Sequence, residues 1–181
     1  MLAKLLEEQR TEILQQWVEL ILRAYPQDSA GFLRKEHDQF RNPVGHTIST
    51  DAEVLLAALI DDIDDDRLTK ALDEIVRIRT VQDLSPAQAI SFIFLLKTTV
   101  REVLAEQITQ PAVFAELLEF ESRVDGLALQ AFNNYMQCKE AVYEIRAREA
   151  RMQTAKLVEQ VNRIYDQNLP TRPERTERKA K

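Results

Sequence analysis

Two histidines, one cysteine and a few short groups of acidic and basic residues are the side chains here whose types and spacing could do chemistry. His37 and His46 stand nine residues apart, with no helical ligand spacing between them. Neither they nor Cys138 falls in a zinc pattern. Cys138 lies among apolar residues at helical spacing and reads as a small core residue. Asp61, Asp62, Asp64, Asp65 and Asp66 form an acidic cluster. Read as a calcium loop from Asp62, it puts Arg67 where a glycine is needed and Asp73 where a glutamate belongs. Acidic residues at the start of a helix explain the cluster more simply. Glu119, Glu121 and Asp125 could be paired carboxylates, but a solvated or salt-bridged helix face is the commoner arrangement. The sequence has no Gly-rich phosphate loop and no nucleophile elbow. No catalytic residue, metal or cofactor is expected, and the chain reads as non-enzymatic.

The basic residues suggest binding rather than catalysis. Arg77 and Arg79 flank Ile78. Lys97 and Arg101 follow Phe94 by three and seven residues, on or beside its buried face. A buried cation must be paired, and Asp125 or Glu121 could supply the partner; snorkelling to solvent is the alternative. A small-molecule site would be an apolar pocket with few polar groups. The candidates for lining one are Trp17, Asn42, His46, Arg77, Arg79, Lys97, Arg101, Asp125 and Tyr135. Trp17, the sole tryptophan, serves equally as a core anchor.

The elements that must position these residues are helices. The chain has three glycines, and prolines at 26, 43, 86, 111 and 170 punctuate it at helical intervals. A first helix is expected from about Leu2 to Ala24, with Leu6, Ile13, Trp17, Leu20, Ile21 and Ala24 on one face. A second, capped by Asp28 or Ser29, carries Phe32, Leu33 and Phe40. Phe40 through Ile48, around Asn42-Pro43-Val44-Gly45, reads as a shaped loop or a helix–helix corner. Thr50 and Glu53 have capping-box spacing for a third helix bearing Val54, Leu55, Ala58 and Leu59. A fourth, about Arg67 to Thr80, turns Leu68, Leu72, Ile75, Val76 and Ile78 inward. Ser85-Pro86-Ala87-Gln88 predicts a fifth helix, reaching about Ile108. Its apolar residues from Ile90 to Leu96 cover all sides, as in a central helix.

The last helix, about 111–169, is the longest, because Leu127 to Leu169 contains neither Gly nor Pro. Phe120, Val124, Leu127, Ala128, Ala131, Phe132, Tyr135, Cys138, Val142 and Ile145 form a broad apolar stripe. Beyond Arg146 a seven-residue recurrence remains: Met136, Tyr143, Ala150, Leu157 and Ile164, with Ala147 and Val161 offset by four. Such a seam predicts a homodimer, or a protein partner using the same face; a helix folded back on its own domain is the alternative.

The expected architecture is all-α, a single helical domain over 1–169 with a disordered basic tail over 170–181. The tail carries five basic residues against two acidic ones, so the body is more acidic than the net charge of −6. That argues against nucleic acid as the main partner. No apolar run is long enough for membrane insertion. A single cysteine fits the cytoplasm.

Several unusual segments recur in the order seen in a known family. They are Trp17, the Asn-Pro-Val-Gly within Phe40 to Ile48, Glu74-Ile75-Val76-Arg77-Ile78-Arg79 with Val81-Gln82, and Ser85-Pro86-Ala87-Gln88-Ala89. Phe92 to Lys97, Arg101-Glu102, Val124-Asp125, Leu127-Ala128-Leu129, Ala131-Phe132, Tyr135-Met136 and Cys138 follow. Over about residues 1–160 the chain resembles the N-terminal sensory domain of RsbRD-type proteins, co-antagonists of RsbT in bacterial stress signalling. The resemblance implies an all-helical sensory module, with a globin-like topology among the arrangements it allows, that dimerises and passes a signal through its last helix. In the broader RsbR group that helix leads to a STAS output domain. This sequence runs to Lys181 without one, so direct phospho-signalling is not expected of it. Haem is not expected either, since an axial ligand such as His must face the pocket and both histidines lie early; Tyr135 and Cys138 are the alternative ligands. The function expected is a sensory or regulatory domain acting through dimerisation and a signalling partner. A small-molecule or cofactor carrier, or an accessory subunit of a larger complex, is the rival reading.

Overall fold

The computed structural model describes residues 1–24, 42–61, 66–82 and 84–168, with side chains described through Tyr165. The expected second helix with Phe32, Leu33 and Phe40 lies outside the described residues, as do His37, Asp62 to Asp65 and the tail. All elements among the described residues are helical. They are α1 (Leu2–Glu8), α2 (Arg10–Arg23), α3 (Pro43–Asp61), α4 (Asp66–Val81), α5 (Pro86–Val103), a 3-10 turn (Gln107–Thr109) and α6 (Pro111–Asn168). The chain forms two compact units, Met1–Lys139 and Glu140–Lys181.

The first unit holds the core. Leu2 and Leu6 of α1, Ile13, Trp17 and Ile21 of α2, and Ile48, Leu55, Leu56 and Leu59 of α3 are buried together. Leu72, Ile75 and Val76 of α4, Phe92, Ile93 and Leu96 of α5, and Phe120, Val124 and Tyr135 of α6 complete the cluster. Each set recurs at three- and four-residue spacing, so the amphipathic pattern selects the buried face. The expected first helix is interrupted at Gln9. The bonds Gln9 N–H to Leu5 O (3.0 Å) and Ile13 N–H to Gln9 O (2.9 Å) still run across it, so the irregularity is local.

Two boundaries differ from the sequence expectation. The third helix begins at Pro43, not near Thr50, because Asn42 caps it: the Gly45 N–H donates to Asn42 Oδ1 at 2.9 Å. Asn42 is itself buried, and Pro43 at the first helical position loses nothing by lacking an N–H. The fifth helix ends at Val103, five residues early, and the chain then turns through the 3-10 segment. Its start is as expected: Ser85 Oγ accepts the Gln88 N–H, and Gln88 Oε1 accepts the Ser85 N–H at 3.1 Å. Nor is α5 buried on all sides, since Phe94 is exposed while Phe92 and Ile93 are not. Phe132 and Ile145, expected in the apolar stripe of the last helix, are exposed as well.

Gly45 is required by that cap. A Cβ there would overlap the Asn42 side-chain amide folded over the first turn. Gly45→Ala and Asn42→Ala are each expected to lower stability by ~0.5–2 kcal/mol, the usual size of a lost cap. Urea midpoints measure this; a Gly45→Ala midpoint equal to that of the parent would show that the cap contributes nothing.

Candidate functional site

The polar candidates named by the sequence sort into four groups by what they touch. Trp17, Arg79 and Tyr135 meet the segment that leads into and starts α5. The Trp17 indole N–H donates to the Phe92 carbonyl at 2.7 Å, and its ring stacks on Phe92 with centroids 6.5 Å apart. Arg79 Nε donates to Ala89 O at 2.9 Å and Nη2 to Gln88 O at 2.8 Å. Its guanidinium also lies 5.5 Å from the Phe92 ring centroid. The Tyr135 hydroxyl donates to Leu84 O at 3.0 Å. A buried donor must find an acceptor, and here three helices find theirs on one stretch of backbone.

Asn42 forms the second group and is the cap of α3. The third is a pair of ionic rungs between α5 and α6. Lys97 Nζ lies 2.6 Å from Asp125 Oδ1. Arg101 holds Glu121 through two bonds, Nε to Oε1 at 2.6 Å and Nη2 to Oε2 at 2.7 Å. The sequence offered Asp125 or Glu121 as the carboxylate of a buried pair. The Asp125 side chain is 53% exposed, whereas that of Glu121 is 9% exposed. Glu121 is therefore the more sequestered carboxylate of the two rungs. A pair exposed like Lys97–Asp125 contributes ~0–1 kcal/mol. The fourth group, His46 and Arg77, is exposed; Arg77 pairs with Asp73 one turn earlier at 2.6 Å.

A cleft of about 280 Å³ is lined by Arg10, Glu53, Val54, Ala57, Ala58, Asp61 and Arg67. A second, of about 350 Å³, is lined by Leu2, Ala3, Leu6, Glu116, Glu119 and Arg123. None of the nine ligand-lining candidates named from the sequence lines either of these two clefts. Among the described residues no group of three or more His, Cys, Asp or Glu is placed to hold a metal ion. Burial pushes the Cys138 thiol up, away from thiolate chemistry. The seam positions Tyr143, Ala147, Ala150, Leu157, Val161 and Ile164 of the second unit are all exposed, as is Met136 in the first.

One residue that sequence reasoning missed is Asp51. Its Oδ2 is buried and has no hydrogen-bond partner. Burial and the nearby Glu74 push its carboxyl from 3.8 up to about 6, against the opposing pull of Lys70 and His46. Asp51 stands between Ile48 and Leu55 on the shoulder of the α3 stripe, a position that does not by itself mark an unpartnered oxygen.

Among the described residues the body is all-helical, and Trp17, Arg79 and Tyr135 bind its own backbone. Comparison with known families identifies the domain. Residues 11–150 match the family described as the RsbT co-antagonist protein rsbRD N-terminal domain, and the chain belongs to that family. No curated protein and no solved structure matches it. The family is one of bacterial signalling regulators. Among the described residues no helix is long and apolar enough to cross a membrane.

The raised Asp51 carboxyl predicts a pH response of the first unit. Its folded pKa lies above its unfolded one, so the folded state binds the proton more tightly. Its contribution to stability is full below about pH 4 and is lost as pH rises through about 6. Asp51→Asn removes the ionisation and is expected to gain melting temperature over the parent at pH 7.5 but little at pH 4.5. A difference that does not change with pH would contradict this.

Proposed function

We propose that the chain is a non-catalytic sensory domain that works as a homodimer and passes its state to a protein partner in RsbT-linked signalling. Membership of the co-antagonist family supports the signalling part. The dimer rests on the second unit. From Glu140 to Tyr165 every residue except Val142 is exposed, including Tyr143, Met152, Leu157, Val161 and Ile164. Most helical stability in proteins comes from packing an apolar face against something else. This stretch has such a face, with Tyr143, Ala150, Leu157 and Ile164 recurring every seven residues as in a coiled coil. Ala147 and Ala150 allow close approach, whereas Thr154 and Gln153 contribute little. The distal seam is therefore weak alone, and residues nearer the body carry most of the association.

Sedimentation of the full chain over a wide concentration range tests the proposal. The parent is expected to dimerise. Truncation after Arg151, or Leu157→Asp, is expected to weaken the dimer while leaving the helical signal of the body intact. A monomer at every concentration would overturn the homodimer and leave the seam to a different protein.

A further inference from the structure

The smaller of the two clefts has an apolar floor and a rim of balanced charge. Val54, Ala57 and Ala58 of α3 are its half-buried apolar lining, and Arg10, Glu53, Asp61 and Arg67 stand around them from α2, α3 and α4. We propose that this cleft binds a small zwitterion, an α-amino acid with a short aliphatic side chain. Arg10 holds its carboxylate and Glu53 its ammonium. The inference deepens the sensory reading, on which the ligand's role as a signal rests, and is independent of the dimer.

Arg10 carries the argument. Its side chain is 32% exposed, so most of it is withdrawn from water. The carboxylates beside it lie 3.6 Å away at Glu7 and 3.9 Å away at Glu53. Both distances are beyond hydrogen-bond reach. Arg101 shows what a guanidinium makes of a well-placed carboxylate, a two-bond clasp of Glu121 at 2.6 and 2.7 Å. The planar fork of arginine is built for that clasp. A largely covered cation without it is short of the bonds that offset its desolvation. A ligand carboxylate entering the cleft supplies them.

The rim decides what else the ligand carries. It holds two cationic and two anionic side chains. A simple anion beside Arg10 meets the carboxylates of Glu53 and Asp61, and a simple amine meets two guanidiniums. A molecule with both charges satisfies both. Glu53 faces Arg10 from a different helix at only 3.9 Å, so the two charges of the ligand must lie close together, as they do in an α-amino acid.

Size and lining complete the choice. The volume, about 280 Å³, falls just under the ~300–1,000 Å³ of drug-sized sites, so the occupant is a small molecule. Val54, Ala57 and Ala58 recur at three- and four-residue spacing and share one side of α3. They offer apolar contact and no side-chain hydrogen bond, which suits a short aliphatic group.

Equilibrium dialysis of the full chain against labelled glycine, L-alanine, L-valine and L-leucine tests this, with isobutyrate and isobutylamine as competitors. Saturable uptake of at least one of the amino acids is expected. Isobutyrate and isobutylamine, each with one of the two charges, are expected to compete at least tenfold more weakly. Arg10→Gln and Glu53→Gln are expected to lower the affinity at least tenfold, and Arg77→Gln, an exposed arginine outside the cleft, is not. Ala57→Leu fills the floor without touching a charge and is expected to abolish uptake, with melting temperatures checking that each variant is folded. No saturable uptake of any of the amino acids would overturn the inference. So would isobutyrate bound as tightly as the amino acid, or uptake unchanged by Arg10→Gln and Ala57→Leu. Sedimentation without added ligand reads the dimer separately, so a chain that dimerises but takes up no amino acid loses this site and keeps the homodimer. A monomeric chain that takes one up keeps the site and loses the homodimer.

Discussion

Four backbone carbonyls at the start of α5 organise the first unit. Leu84 O accepts from Tyr135, Gln88 O and Ala89 O from Arg79, and Phe92 O from Trp17. The donors come from α6, α4 and α2, so three helices are referenced to one short stretch. Apolar packing is tolerant of sliding, because one methyl group substitutes for another. A buried hydrogen bond is not, since a donor moved off its acceptor costs its desolvation. The capping box at Ser85 fixes where α5 begins and hence where those carbonyls stand. Arg79 is the most demanding of the three, being a buried cation whose named partners are carbonyls and the Phe92 ring.

That arrangement bears on function. Trp17, Arg79 and Tyr135 look like ligand-binding side chains in sequence, yet the Trp17 indole N–H, Arg79 Nε and Nη2 and the Tyr135 hydroxyl are engaged within the fold. What the first unit leaves exposed is different: Asp125 of the Lys97 rung, and the apolar side chains Phe114, Leu118, Leu129, Phe132 and Met136 of α6. Membership of the co-antagonist family makes the chain one of a family of signalling regulators.

Much of this was legible in the sequence where the signal was local. Ser85-Pro86-Ala87-Gln88 set the start of α5 because a cap needs only four residues. The absence of Gly and Pro after Leu127 foretold the long helix. The start of α3 was missed although its signal was present: Asn before Pro is a cap followed by a first-turn residue. Thr50 and Glu53 offered a competing cap that a single sequence could not reject. Burial of individual residues was harder. Phe92, Ile93 and Phe94 are consecutive and alike, and only the packing of α2 and α4 decides that Phe94 turns outward. Likewise Glu121 and Asp125 are equivalent until the register of α6 on α5 buries one and exposes the other. Asp51 escaped notice because nothing in its neighbourhood along the chain marks an unpartnered oxygen.

Polar side chains from three helices hold the start of α5 in place. Hydrogen exchange in Trp17→Phe, Arg79→Met and Tyr135→Phe measures it most directly, since each change removes the donor group and keeps most of the side chain's volume. The amides of α5 are expected to lose protection in all three variants, with the largest loss in Arg79→Met. Unchanged protection of α5 in the three would mean that apolar packing alone positions the helix, and would contradict the account.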